Sequence, residues 1–367
     1  MTKYHYLFVS LLILVLTSCQ TIEELSIDYM VPASISFPSE LKRVAIVNNV
    51  PSNGGYILVS ESPKAEEPVG RELKKATVFF DGNAQLASES LAESLSKANY
   101  FDEVVICDSV LRSKDILPRE ATLSQVEVKQ LAKNLDVDAI ISIEGLKIKA
   151  VKGIQFLSDW GLFQSTTDAK IFSGLRIYIP SRKVPMVTVN VSDSIYWEET
   201  GTSEASVLKR SIDDKELVKE ASDFAGTIPV KYLTPYWKTA KRFIYTNGSV
   251  EMRDAAIYVK EKSWDKAHTL WEKAFQSKNK KRQMRSALNI ALYYEMNDSL
   301  QNAEKWALKA QSLAREVEKV DEKTKDNFDM RNVPNYYYIT LYVGELQERL
   351  SYLPKLNMQM NRFNDDF

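Results

Sequence analysis

The sequence predicts two domains of different class: a mixed α/β domain, with antiparallel strands in its sheet and helices packed on it, followed by an all-α domain of helical repeats. Three observations carry this. Between Leu41 and Ala150, short apolar runs alternate with stretches whose apolar residues recur every three or four positions. From Ala169 to Trp197, two strand-like runs flank Pro180-Ser181-Arg182-Lys183, the composition of a hairpin loop. The stretch Arg253 to Ala314 matches itself when shifted by 36 residues. At 367 residues the chain exceeds one ordinary core, which agrees with two domains.

The N-terminus comes first. Lys3 precedes an apolar run from Tyr6 to Leu16, too short to cross a bilayer as a helix but right for a signal peptide. It ends in Leu16-Thr17-Ser18-Cys19, which resembles the lipobox of bacterial lipoproteins. That resemblance implies a signal peptide over 1–18, lipidation of Cys19, and a tether over 19–38. Acyl chains there would anchor the protein stably to a membrane. The expected location is the cell envelope, as an outer-membrane lipoprotein facing the periplasm or the surface. With Cys19 modified, Cys107 has no partner for an internal disulfide, and it follows Val104-Val105-Ile106 as a buried strand residue would.

The α/β domain is expected over 39–228. Leu41 to Val47 reads as a strand, and Asn48 to Phe80, rich in Pro and Gly, reads as a long loop. Ala84, Ala87, Leu91, Leu95 and Ala98 form one apolar helix face. Glu103 to Cys107 is a second strand, Ser124 with Glu127 opens a helix as a capping box, and Ala139 to Ala150 is a third strand. After the hairpin, Asp213 and Glu216 cap a helix closed by Gly226, and Thr234-Pro235 opens another with proline at its first position.

The helical domain is expected over 229–356, with a flexible tail over 357–367. The 36-residue shift places Ala255 on Ala291, Tyr258 on Tyr294, Ser263 on Ser299, Ala267 on Ala303 and Ala274 on Ala310. Small residues at fixed places let two helices of a hairpin approach closely, and each hairpin buries its apolar face on its neighbours. The pattern resembles the tetratricopeptide repeat, whose small positions match Ala255, Ala267 and Ala274; a period of 36 departs from that motif's 34. Pro334 opens a last helix that caps the stack.

Chemistry is sparse. With 48 basic and 49 acidic residues there is no electrostatic footprint for nucleic acid. Beyond the signal peptide the chain has one histidine, His268, which excludes the familiar zinc sites and leaves no convergent triad. No phosphate-binding glycine loop occurs. The expectation is therefore no enzyme, no cofactor and no metal. The best carboxylate cluster is Tyr196-Trp197-Glu198-Glu199, where neighbouring acids on a strand point to opposite faces and cannot pair for glycoside chemistry. Partner binding is expected on the concave face made by the first helix of each hairpin, Glu251 to Lys262 and Arg282 to Met296. The candidate residues are Asp254, Tyr258, Glu261, Lys262, Ile290, Tyr294 and Asn297.

The lipobox, Val47-Asn48 at the first strand end, Tyr196-Trp197-Glu198, Pro235-Tyr236-Trp237 and the Trp264/Trp271 pair together resemble a family. It is an uncharacterised group of Bacteroidota lipoproteins with tetratricopeptide-like C-terminal regions, a domain of unknown function. The resemblance implies the architecture and no activity. The expected function is that of a lipid-anchored, non-catalytic scaffold or assembly factor holding an envelope protein partner. The alternatives are a glycan-binding or carbohydrate-active protein using the α/β domain, and a structural envelope spacer.

Overall fold

The computed structural model describes residues 22–50, 72–107, 111–112, 122–323 and 329–362, which divide into two compact units. One spans Ala33–Tyr236 and takes up the chain again from Gln359; the other joins the chain up to Pro32 with Trp237–Met358. The segment expected to be a signal peptide, and Cys19, lie outside the described residues.

Strand β1 (Ile22–Val31) goes with the second unit. The first is built on β2 (Arg43–Asn48), β3 (Glu72–Asp81), β4 (Glu103–Cys107), β5 (Ala139–Leu157), β6 (Leu162–Tyr178) and β7 (Val187–Gly201). They form a six-stranded sheet in the order β4-β2-β5-β6-β7, with β3 also paired to β5. β2 is parallel to β4 and β5, whereas β5, β6 and β7 form an antiparallel meander. β5 is long enough to pair with β2 through Ala139–Ile143 and, further on, with β3 from Lys147. The region from Asn48 to Phe80 is thus not all loop: Ala76-Thr77-Val78-Phe79-Phe80 has strand-forming side chains and a strand to pair with.

Helices α1 (Ala84–Ala98), α3 (Glu204–Arg210), α4 (Asp214–Thr227) and α5 (Val230–Leu233) belong to this unit, as does α2 (Gln125–Leu135). Leu91 and Leu95 of α1 and Leu217 and Ala221 of α4 pack with Ile141, Ile148, Ile171 and Ile177 into one core. Across the sheet, Val128 and Ala132 of α2 pack with Ala45, Val47, Ile140 and Tyr178. The capping box of α2 forms as the sequence predicts, with Ser124 and Glu127 satisfying each other's backbone N–H. Gly226, expected to close a helix, instead lies inside α4, where a Cβ would meet the Ala87 carbonyl of α1 at 2.4 Å. Its missing side chain sets the approach of the two helices.

The second unit pairs β1 with β8 (Tyr236–Tyr245) in a two-stranded ribbon. It continues through α6 (Val250–Lys260), α7 (Trp264–Phe275), α8 (Lys280–Met296), α9 (Leu300–Val317), α10 (Val320–Lys323) and α11 (Pro334–Met360). Ala255, Ala267, Ala274, Ala291, Ala303 and Ala310, the small positions of the sequence match, are all buried around Trp271. The turns after α6 and α8 are alike. Lys262 and Asp298 both adopt the left-handed region (φ 59° and 53°). The N–H of the following serine, Ser263 or Ser299, then reaches the Tyr258 or Tyr294 carbonyl at 2.8 and 2.9 Å.

Three boundary expectations are corrected here. The tether over 19–38 contains β1, in which Leu25-Ser26-Ile27-Asp28-Tyr29 alternates as a half-buried strand does. The helix expected from Thr234-Pro235 is β8, whose Ala240, Arg242 and Ile244 point inward while Lys241 and Phe243 point outward. The tail is not loose through 362. Gln359 is buried and clamps the Ala33 backbone, accepting from its N–H at 2.9 Å and donating to its carbonyl at 3.1 Å, while Arg362 donates to the Pro38 carbonyl at 2.6 Å.

Candidate functional site

In the helical unit, α8 is the central helix, with Met284, Ala287, Ile290, Ala291 and Leu292 all buried. It also buries two polar side chains that organise their surroundings. Asn289 accepts from the Tyr245 N–H at 2.9 Å and donates to its carbonyl at 2.7 Å, capping the end of β8. Nearly two turns on, Glu295 has no solvent-exposed side-chain surface. It accepts from Arg242 Nε at 3.0 Å and Nη2 at 2.8 Å, from the Tyr342 hydroxyl at 2.9 Å, and from Arg349 at 2.5 Å. Arg242 also donates to Glu345 at 2.9 Å, and Glu345 accepts from Tyr29 at 2.6 Å. Two arginines thus face two carboxylates, joining β1, β8, α8 and α11.

The electrostatics follow from that packing. Burial and the neighbouring Glu295 hold the Tyr342 hydroxyl protonated well above its ordinary range. Burial pushes Glu345 upward, but the hydrogen bonds from Arg242 and Tyr29 outweigh it and leave its carboxyl below the usual value. The cluster is neutral, and its centre at Glu295 is sealed and fully hydrogen-bonded, which makes it a clamp.

Beside the clamp lies an open groove of about 990 Å³. Leu288, Leu292 and Ile339 form its floor; Phe243 of β8 and Tyr338 and Leu341 of α11 stand on its rim. Those three are 41%, 57% and 54% exposed, which is unusual for large apolar side chains gathered in one place. The Phe243 and Tyr338 rings are 5.8 Å apart. Lys281 and Arg285 supply positive charge at the groove, Arg285 lying 5.2 Å from the Tyr245 ring centre. Ile22, Glu23 and Glu24 of β1 complete the lining, with Glu23 held by Lys260 at 3.1 Å and Glu24 by Lys241 at 2.9 Å.

The residues predicted for partner binding do not form one surface. Ile290 is fully buried, a correction that follows from α8 being covered on several sides, by α9 as well as α7. Glu261, Lys262 and Asn297 occupy the turns that end α6 and α8, where Asn297 donates to the Tyr293 carbonyl. Tyr258 is half-buried beneath Lys266, and Tyr294 is half-buried against His268. Asp254 is exposed on α6.

The Tyr196-Trp197-Glu198-Glu199 cluster borders a cavity of about 230 Å³. The Trp197 indole donates to Glu220 at 2.8 Å, Glu199 faces Arg210 at 3.7 Å, and Glu198 accepts from Gln164 and from Tyr196. Each carboxylate is committed to a side-chain partner. Cys107 is buried at the end of β4. Among the described residues no group of three or more His, Cys, Asp or Glu could hold a metal, and no helix is long and apolar enough to cross a membrane.

Residues 41–245, more than half of the chain, match the family described as Domain of unknown function (DUF8603), and residues 253–348 match Domain of unknown function (DUF6340). No curated protein matches the chain. The solved structures it is similar to include two of the PelC dodecamer from Paraburkholderia phytofirmans, one of them a point variant. Each is 6% identical, over 55% of this chain and 96% of that one, with TM-scores of 0.23 and 0.22.

Proposed function

The chain belongs to the DUF8603 family, and on that premise we propose that it is a lipid-anchored cell-envelope protein that holds a protein partner through its helical unit, without catalysis. The observation that carries this reading is the groove with Phe243, Tyr338 and Leu341 on its rim. Aromatic and aliphatic side chains around a concavity are what bind an amphipathic segment, and Lys281 and Arg285 favour one with acidic flanks. The site therefore shifts from the first-helix faces to the groove between the ribbon and α11.

Two further features support it. The equivalent turns at Lys262 and Asp298, 36 residues apart, favour reading the two helical hairpins as tetratricopeptide-like repeats. The lipobox resemblance makes Cys19 the lipidation site, only three residues before β1. Three residues reach at most about 10 Å, so such an anchor would hold the helical unit against the membrane surface.

A photoreactive amino acid placed at Tyr338 or Leu341 in cells tests the groove. A discrete protein adduct is expected, abolished by Phe243→Glu and insensitive to charge reversal at Asp254 and Glu261. Adducts recovered only from the Asp254 surface, or none at all, would overturn the assignment. Cys19→Ala tests the anchor separately: it should release the protein from the membrane fraction and end acyl labelling.

A further inference from the structure

The α/β unit holds a second polar cluster. At the carboxyl end of β2, Asn49 is fully buried and accepts from Arg112 Nε at 2.8 Å. Beside it β5 carries a bulge. Ile143 pairs with Leu175 and Gly145 with Gly174, leaving Glu144 as the extra residue. The Glu144 side chain is only 8% exposed; it accepts from Tyr178 and lies 3.0 Å from Arg176 Nη1. Arg112 donates to the Thr122 carbonyl at 3.2 Å and Arg176 to the Thr122 hydroxyl. Burial pushes Glu144 upward, and burial with the nearby Glu144 pushes Tyr178 up to about 12.

This cluster opens. A cavity of about 360 Å³ lies over it, lined by Thr122, Gly145, Gly174, Arg176, Thr188 and Asn190. Gly145 and Gly174 face each other across β5 and β6, and a Cβ built on Gly145 would meet nothing within 4 Å. Neither glycine has a positive φ, so backbone conformation does not demand glycine at either place. Glycine in a strand interior weakens it, and often marks a bulge, as here, or a place where a ligand or another backbone comes close. Ser142, directly opposite Arg176, has a buried hydroxyl with no hydrogen-bond partner among the described residues. Ligands in open α/β sheets collect at the carboxyl ends of parallel strands, where this cavity sits.

We propose that the Gly145–Gly174 cavity is a binding site for a small, uncharged, hydroxyl-rich ligand of the sugar class. Arg176 is balanced by Glu144 and Arg112 by Glu127 at 3.9 Å, so the site does not call for a charged ligand. Its open lining offers hydroxyl, amide, guanidinium and carboxylate groups, able between them to donate and accept, and no aromatic ring among the described residues. The paired glycines let such a ligand lie against the sheet. This site is independent of the membrane anchor and of the helical groove.

Amide chemical shifts of the full protein, titrated with maltotetraose and with chitotetraose, test the proposal. One of the two should perturb Gly145, Gly174, Thr188 and Asn190 selectively. Gly145→Val should reduce that binding at least about tenfold while leaving thermal stability equal or higher, since a β-branched side chain suits a strand. Asn190→Ala, at an exposed position, should weaken it severalfold without touching the fold. The proposal is overturned if neither sugar perturbs these amides, if the perturbation survives Gly145→Val, or if inorganic phosphate perturbs them in place of the sugars.

Discussion

Glu295 of the helical unit and Glu144 of the α/β unit are built from the same parts: a buried carboxylate, two arginines nearby and a tyrosine hydroxyl that donates to it. They differ in what adjoins them. Glu295 sits on a helix among Leu288, Ile290, Ala291 and Leu292, and protein groups occupy its oxygens from several sides. Glu144 sits on a strand bulge next to two glycines, and a cavity begins where the Gly145 side chain would be. A buried ion cluster alone therefore does not mark a binding site. A carboxylate that itself lines a cavity does, as Glu144 does and Glu295 does not, together with polar groups that still have hydrogen bonds to offer.

The largest expected effect breaks the sealed cluster. Glu295→Ala leaves Arg242 and Arg349 buried without their shared carboxylate, and losing one partner of a buried ion pair costs about 3–5 kcal/mol. Urea unfolding with amide exchange read on α8 and α11 measures it. Replacing Arg242, Glu295 and Arg349 together by Met, Leu and Met should cost clearly less than the single change, because no unpaired charge remains. A single substitution costing under about 1 kcal/mol would show that the cluster is not a clamp. Urea unfolding with amide exchange read on β5 and β6 should give a smaller loss for Glu144→Ala, since water in the adjoining cavity can solvate Arg176.

A second, smaller effect compares the two hairpins within the helical unit. Ala267 and Ala303 occupy matched places, both fully buried. Leucine at either should overpack its hairpin by about 1–3 kcal/mol. Equal losses in thermal melts would support equivalent repeat positions. A silent substitution at one of them would confine the 36-residue match to sequence.

Much of the fold was legible where burial is simple. β2 and β4 are apolar runs, α1 has one apolar face, and the Ser124/Glu127 box announces α2. β8 was hidden because an inward place carries Arg242, whose charge is neutralised only by residues 53 and 103 positions away. β1 does alternate, but its place just after a segment resembling a lipobox invites reading it as a tether. The binding candidates were less legible still. Gly145 meets Gly174 only through a bulged register, and the groove draws on β8, α8 and α11, so no local spacing announces either. Ile290 looked available because the covering of α8 by other helices cannot be inferred from two repeats.

The smallest effect concerns His268, the lone histidine among the described residues. It stacks on Tyr293 with ring centres 4.1 Å apart and meets Tyr294 edge-on, while Glu272 and Asp265 are the acids that face it. Its Nε2 is buried with no hydrogen-bond partner among the described residues, 3.7 Å from Glu272. Burial holds its pKa below the ordinary 6.5, and the two acids only partly offset this. The folded state therefore binds this proton less readily than the unfolded chain. Its contribution to stability is complete above pH 6.5 and declines as pH falls through the lowered value. Melting temperatures between pH 7 and pH 5 should drop in the native protein by an increment that His268→Phe, which keeps the stack on Tyr293, does not show. The increment should be on the order of 1 kcal/mol or less. Glu345, held below its usual range, titrates under this window and cannot account for the difference. An identical slope in the variant would mean that Glu272 swings in to pair with the imidazolium as it forms, cancelling the cost of burial.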